Sequence, residues 1–212
     1  VYGQWQQDPE RFWLDAAGGI DWVKAPTFAL NASRAPLYEW FTDATVNTCW
    51  NAVDRHVAAG RGRQPAIIHD SPVTGTKHVI TYSELQDRVS RLAGALRAKG
   101  IEKGDRVIIY MPMVPEALEA MLACARLGAI HSVVFGGFAA NELAVRIDDC
   151  TPKAIIAASC GIEPSRVVHY KPLLDAAIDQ AFHKPEFCVI FQREQEVAKL
   201  TPGRDVACHD FQ

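Results

Sequence analysis

The residues whose types and spacing best suit chemistry are two adjacent glycines, Gly136 and Gly137, flanked by Phe135 and Phe138. They follow directly on an apolar run, Ile130 to Phe135. Paired glycines at the end of a strand let a backbone approach a flat ligand closely, and aromatic rings beside them stack on a base. A tight turn makes the same demand, and composition does not separate the two. Asp54, Arg55 and His56 set an acid, a cation and a base side by side. Adjacent helical positions point in different directions, so the expectation there is a structural ion pair or helix-end role. Gly75-Thr76-Lys77 has the ending of a phosphate loop but lacks the earlier glycine of G-x-x-x-x-G-K-[ST], and no helix start follows it. The sequence has no G-x-S-x-G, no H-E-x-x-H and no G-x-G-x-x-G opening a helix.

Six cysteines, at 49, 124, 150, 160, 188 and 208, form no Cys-x-x-Cys pair and have no nearby histidine at ligand spacing. Neither a zinc site nor a redox dithiol is indicated, and reduced thiols are expected. Cys49, Cys124 and Cys188 fall inside apolar patterns as small core residues. Cys150, Cys160 and Cys208 lie nearer turns, where more exposure is expected.

The glycine pair must be held by the elements before it. Asp105 to Met111 is an apolar run bounded by Gly104 and Pro112, which reads as a buried strand. Pro115 suits a first helical position; Leu118, Met121, Leu122 and Ala125 then recur on one face, and Gly128 closes the helix. With Ile130 to Phe135 this makes a right-handed βαβ unit, whose second strand delivers the glycines at its carboxyl end, where open α/β sheets bind ligands.

Upstream, Asn47 caps a helix with Trp50, Val53 and Val57 on one side, ending near Gly60 or Gly62. Pro65 to His69 and His78 to Thr81 form a hairpin at the sheet margin, turning through Ser71, Pro72 and Gly75. Thr81 and Glu84 make a capping box for a helix carrying Leu85, Val89, Leu92 and Leu96, which Gly100 ends. Downstream come a helix over 140–147 with Leu143, Val145 and Ile147, and a strand over 153–158. A helix through Leu174, Ala177, Ile178 and Ala181 follows, then a strand over 187–191. Strands alternating with helices predict a largely parallel, doubly wound sheet with helices on both faces. Residues 192–212 offer nothing that closes this sheet, so a fragment of a longer protein is expected.

All five tryptophans lie within the first fifty residues, in segments broken by proline and glycine. Large aromatics in a loop-rich stretch anchor it onto a larger body. The expected organisation is an extension over 1–63 packed on the first part of a large α/β domain over 64–212. A net charge of −3, with 22% charged residues, gives no basic cluster for nucleic acid. No apolar stretch approaches the roughly 20 residues that span a bilayer, and the first residues form no signal peptide, so a cytoplasmic location is expected. Nothing in the sequence fixes an oligomeric state.

Three runs resemble the AMP-forming short-chain acyl-CoA synthetases. They are Tyr110-Met-Pro-Met-Val-Pro-Glu-Ala117, then Met121-Leu-Ala-Cys-Ala-Arg-Leu-Gly-Ala-Ile-His-Ser-Val-Val-Phe-Gly-Gly-Phe138, and Asn47 to His56. The opening Trp5, Asp8, Pro9, Glu10, Phe12 and Trp13, followed by Asp21-Trp22, is similar to the amino-terminal extension of acetyl- and propionyl-CoA synthetases. Gly161-Ile-Glu-Pro-Ser-Arg166 and Tyr170-Lys-Pro-Leu-Leu-Asp-Ala-Ala-Ile178 look most like the propionyl group. The resemblance implies a ligase that first joins a short-chain carboxylic acid to AMP, using ATP and Mg2+, and then transfers the acyl group to CoA. It implies that the phosphate loop, the adenine and ribose motifs, the acid pocket and the mobile-domain lysine all lie beyond Gln212. This chain alone should therefore not catalyse adenylation, and no catalytic residue is assigned within it.

What the resemblance carries over is a CoA surface: Phe135, Gly136, Gly137 and Arg166. Arg166 matches the second arginine of a family Arg-x-x-Arg pair, and the first matches Glu163. Arginine grips phosphate by charge-assisted, bidentate bonds, whereas a glutamate repels it. Arg166 binds the CoA phosphate alone, or is oriented by Glu163 through an ion pair, or is a solvated surface arginine. A different reading is a non-catalytic fragment that retains only a CoA- or nucleotide-facing surface.

Overall fold

The computed structural model describes residues 1–137 and 139–211; Phe138 and Gln212 lie outside them. Helices Tyr2–Gln7 and Pro9–Ala17 open the chain, followed by short paired strands. The regular part starts with hairpin β1 (Pro65–Ser71) and β2 (Thr76–Thr81), then helix α1 (Tyr82–Ala98), strand β3 (Arg106–Met111), helix α2 (Pro115–Leu127) and strand β4 (Ile130–Phe135). It continues with α3 (Ala140–Cys150), β5 (Ala154–Ala158), a small hairpin of β6 (Cys160–Glu163) and β7 (Arg166–His169), α4 (Tyr170–Gln180), β8 (Phe187–Phe191) and β9 (Asp205–Ala207). The main sheet has the order β9-β8-β5-β3-β4, and each neighbouring pair is parallel. Helices α1 and α2 pack together, as do α3 and α4, and these two pairs flank the sheet.

The central unit forms for the reasons its residues give. Val107 to Met111 are all buried, as a strand covered on both faces requires. Pro115 begins α2, and Gly128 ends it at φ +75°, a conformation that a side chain would strain. Strand β4 then returns in register, from Arg106 opposite Ile130 to Met111 opposite Phe135. Helix α1 carries the expected capping box, with Thr81 N–H donating to Glu84 Oε2 at 2.8 Å and Glu84 N–H to Thr81 Oγ1 at 3.3 Å. Leu85, Val89, Leu92 and Leu96 are all buried on its inner face.

Several expectations are corrected. Of the four residues expected on the apolar face of α2, Met121, Leu122 and Ala125 pack half-buried against the core and Leu118 is exposed; the apolar positions fully enclosed are the small ones, Ala120, Ala123 and Cys124, which let the helix approach the sheet closely. On α3, Val145 points to solvent and Ala144 is buried with Leu143 and Ile147; a helix places i, i+1 and i+4 on one side more readily than i and i+2. The segment after Asn47 is capped as expected, Trp50 N–H donating to Asn47 Oδ1 at 3.0 Å. It winds as two π-helical turns, Trp50–Asp54 and Val57–Arg61, with Trp50 exposed and Val53 buried. The hairpin of β1 and β2 is a separate two-stranded sheet, and the last residues, read as closing nothing, supply edge strand β9. Cys160 is fully buried, and all six cysteines are free thiols. Four of the tryptophans meet other rings of the opening segment, Trp13 against Trp40 at 5.3 Å, Trp22 and Trp40 against Phe41 and Trp5 against Tyr2, and Trp5, Trp13, Trp40 and Trp50 each keep an exposed face.

Candidate functional site

Strand β4 is an edge strand, and Phe135 ends it at the carboxyl side of the sheet with 70% of its surface exposed. Gly136 and Gly137 turn the chain away, Gly137 at φ +90°. Phe138, the second ring expected to flank them, lies outside the described residues. Arg166 starts β7 directly opposite Glu163, across the turn at Pro164 and Ser165. Its Nε donates to Glu163 Oε2 at 2.8 Å, and both side chains are largely solvated. The carboxylate holds the guanidinium still more firmly protonated. A guanidinium has five N–H donors, so this pairing leaves donors directed away from Glu163.

Tyr170, to which the sequence alone assigns no role, joins the glycine turn to this hairpin. Tyr170 opens α4 and is 5% exposed. A β-carbon at Gly136 would fall 2.6 Å from Tyr170 Cε2 and 2.7 Å from Cζ. At Gly161, in β6, it would fall 2.6 Å from Cζ and 2.7 Å from Cε1. The phenol is therefore enclosed by two glycines from distant parts of the chain, and a side chain at either would collide with it. Tyr110, fully buried in β3, lies beside it with ring centroids 5.1 Å apart. The Gly137 backbone N–H donates to the Tyr110 hydroxyl, whose pKa burial pushes up to about 12.

The start of α4 is fixed by polar contacts. Tyr170 N–H donates to Ser159 O at 3.0 Å, and Ser159 Oγ accepts from Arg193 N–H at 2.9 Å. The next residue, Lys171, is 3% exposed and bridges to Asp175 at 2.5 Å and to the fully enclosed Asp205 at 2.9 Å. Arg204 Nε meets Asp205 on its other side at 2.6 Å. Burial alone would raise the Asp205 pKa, but hydrogen bonds from Arg204, Thr201 and Lys171 outweigh it and hold the carboxyl below the usual range. These contacts tie α4, and with it Tyr170, to β9.

The groupings set aside on the sequence have structural partners. Asp54 takes a bidentate bond from Arg126 at 2.6 and 2.7 Å, Arg55 reaches Gly19 O at 3.0 Å, and His56 packs on Tyr82 with centroids 4.8 Å apart. Lys77 pairs with Asp70 across the hairpin at 2.9 Å. A cavity of about 220 Å³ includes Arg88, Glu119, Phe191 and Cys208 in its lining, and another of about 370 Å³ includes Trp50, Asp54 and Arg126. Neither is lined by Phe135, Gly136, Gly137 or Arg166; Phe135, Gly137 and Arg166 are exposed and Gly136 is half-buried. Among the described residues no three His, Cys, Asp or Glu side chains converge as a metal site, and no helix is long and apolar enough to cross a membrane.

Known proteins match this chain along nearly all of it. A family described as AMP-binding enzyme matches residues 54–207, and one described as acetyl-coenzyme A synthetase N-terminus matches residues 1–52. An uncharacterized protein of Pseudomonas aeruginosa is 54% identical over 96% of this chain and 32% of its own length. The human mitochondrial acyl-CoA synthetase short-chain family member 3 is 52% identical over 94% of the chain and 29% of its own. The propionate–CoA ligase of Salmonella typhimurium is 44% identical over 94% and 32% respectively. The chain thus spans less than a third of the length of these relatives.

Proposed function

The chain belongs to the AMP-binding enzyme family, in its short-chain acyl-CoA synthetase group, and from that membership we propose that it forms the CoA-facing part of an acid–CoA ligase acting on propionate or a similar short acid. A carboxylate resists attack because the nucleophile adds negative charge to an anion. Joining it to AMP, with release of pyrophosphate, creates a mixed anhydride; the CoA thiol then displaces AMP. Positioning and electrostatic stabilisation carry both steps.

The part taken by this chain is to hold the nucleotide end of CoA. Phe135 offers an exposed ring for the base, the turn at Gly136 and Gly137 offers backbone without side chains, and Arg166 offers guanidinium N–H groups to a phosphate. Glu163 orients Arg166 through their ion pair. The observation that carries this reading is the shared packing of Gly136 and Gly161 on Tyr170, which links the turn and the Arg166 hairpin at the carboxyl end of the sheet. Six free thiols support action in a reducing compartment such as the cytoplasm.

The test is acid-dependent ATP–pyrophosphate exchange by the complete gene product, with propionate and acetate compared, followed by thioester formation at varied CoA. Exchange stronger with propionate is the expected result, together with an Arg166→Ala variant whose KM for CoA rises about tenfold or more while exchange stays within about twofold. Absence of exchange with every short acid would overturn the ligase reading. Equal loss in both half-reactions would remove Arg166 from the CoA surface.

A further inference from the structure

The side-chain space given up at Gly136 is on the protein side. It is filled by the Tyr170 ring, as is the space given up at Gly161. Gly137 differs: its φ of +90° alone demands glycine, and its N–H is held by the buried Tyr110 hydroxyl. The turn therefore rests on two phenols in contact, one beneath Gly136 and one bonded to Gly137. Neither phenol has freedom to yield. Tyr110 is fully buried in β3, between β4 and β5, and Tyr170 is fixed by its N–H on Ser159 and by the ion pairs of Lys171 beside it.

We infer that Tyr170 is a positioning residue of the CoA surface: wedged between Gly136 and Gly161, it sets the height of the glycine turn relative to the Arg166 hairpin, so that both meet one nucleotide. This rests on the CoA reading of that surface. Tyr170 itself is buried behind the turn and acts only through it. A smaller side chain would let the turn sink and the hairpin drift, leaving Phe135 and Arg166 intact but out of register with each other. Adenylation of the acid precedes CoA entry and does not use this surface, so its rate separates positioning from general damage to the fold.

The experiment uses the complete gene product carrying Tyr170→Leu, Tyr170→Phe, Gly136→Ala and Arg166→Ala, each assayed for ATP–pyrophosphate exchange without CoA and for thioester formation at varied CoA. Tyr170→Leu and Gly136→Ala should each raise the KM for CoA about tenfold with exchange within about twofold, while Tyr170→Phe, which keeps the enclosed ring, stays near the parent. If Arg166→Ala raises the KM and Tyr170→Leu does not, the positioning role is wrong and the CoA surface stands. If neither raises it, the surface reading itself fails and takes this inference with it. Equal loss in both half-reactions for Tyr170→Leu would show a merely structural role. Should that variant not fold, Gly136→Ala decides the question, and an unchanged KM would overturn the proposal.

Discussion

At the scale of single residues, the Glu163–Arg166 pair is the most informative. The two side chains face one another on a solvated hairpin, so their bond is weak as a stabilising contact and matters for where it points the guanidinium. Glu163→Gln keeps a hydrogen-bond acceptor but removes the charge that opposes a phosphate. Its expected effect is a lower KM for CoA, by about threefold, and a steeper weakening of CoA binding with salt, read from titrations at two ionic strengths. A raised KM would mean that the carboxylate's charge is needed to orient Arg166. Gly136 shows how far the sequence alone could go. Its neighbours marked a turn at the end of a strand, but the reason for glycine lies in Tyr170, thirty-four positions away, and no local pattern carries a contact of that separation.

At the scale of elements, what the sequence made legible is what local periodicity and end signals encode. Helix α1 has a capping box, a regular apolar stripe and a closing glycine, and unit β3-α2-β4 has Pro115 and Gly128 at the helix ends. Strand β9 has neither. Asp205, Val206 and Ala207 are three residues held by β8, Cys188 opposite Asp205, and by the ion pairs of Asp205 with Lys171 and Arg204. Its existence depends on a buried polar cluster that appears in the sequence as scattered charges. Removing one member leaves the others uncompensated, so Asp205→Asn should cost about 3–5 kcal/mol at pH 7. Because the folded Asp205 has a depressed pKa, the stability it contributes is present above the ordinary carboxylate value of 3.8 and is lost as pH falls through the folded value. Urea unfolding of parent and variant should differ widely at pH 7 and converge below that range. An equally wide gap under both conditions would show that the charge on Asp205 is not what stabilises the cluster.

At the scale of the whole molecule, the tryptophan-rich opening and the sheet are joined through Asp54. That carboxylate takes its bidentate bond from Arg126 at the end of α2, and Gln86 of α1 donates to it at 2.8 Å. Asn47 Nδ2 also donates to Arg126 O at 3.1 Å. Every tryptophan precedes residue 51, so indole fluorescence reports the opening segment while far-ultraviolet dichroism reports mainly the sheet and its helices. Arg126→Ala should destabilise the chain by about 1–3 kcal/mol and bring the fluorescence transition to lower temperature than the dichroism transition, where the parent shows one. Coincident transitions in the variant would mean that other contacts hold the two parts together. The order of the sheet, β9-β8-β5-β3-β4, also bears on how the molecule comes into being. Strand β3 leaves the ribosome first, β4 settles on one side of it and β5 on the other, then β8 joins β5 and β9 joins β8. Each strand reaches a neighbour that has already been made, none has to be inserted between two others, and the nascent sheet grows outward from β3 as translation proceeds.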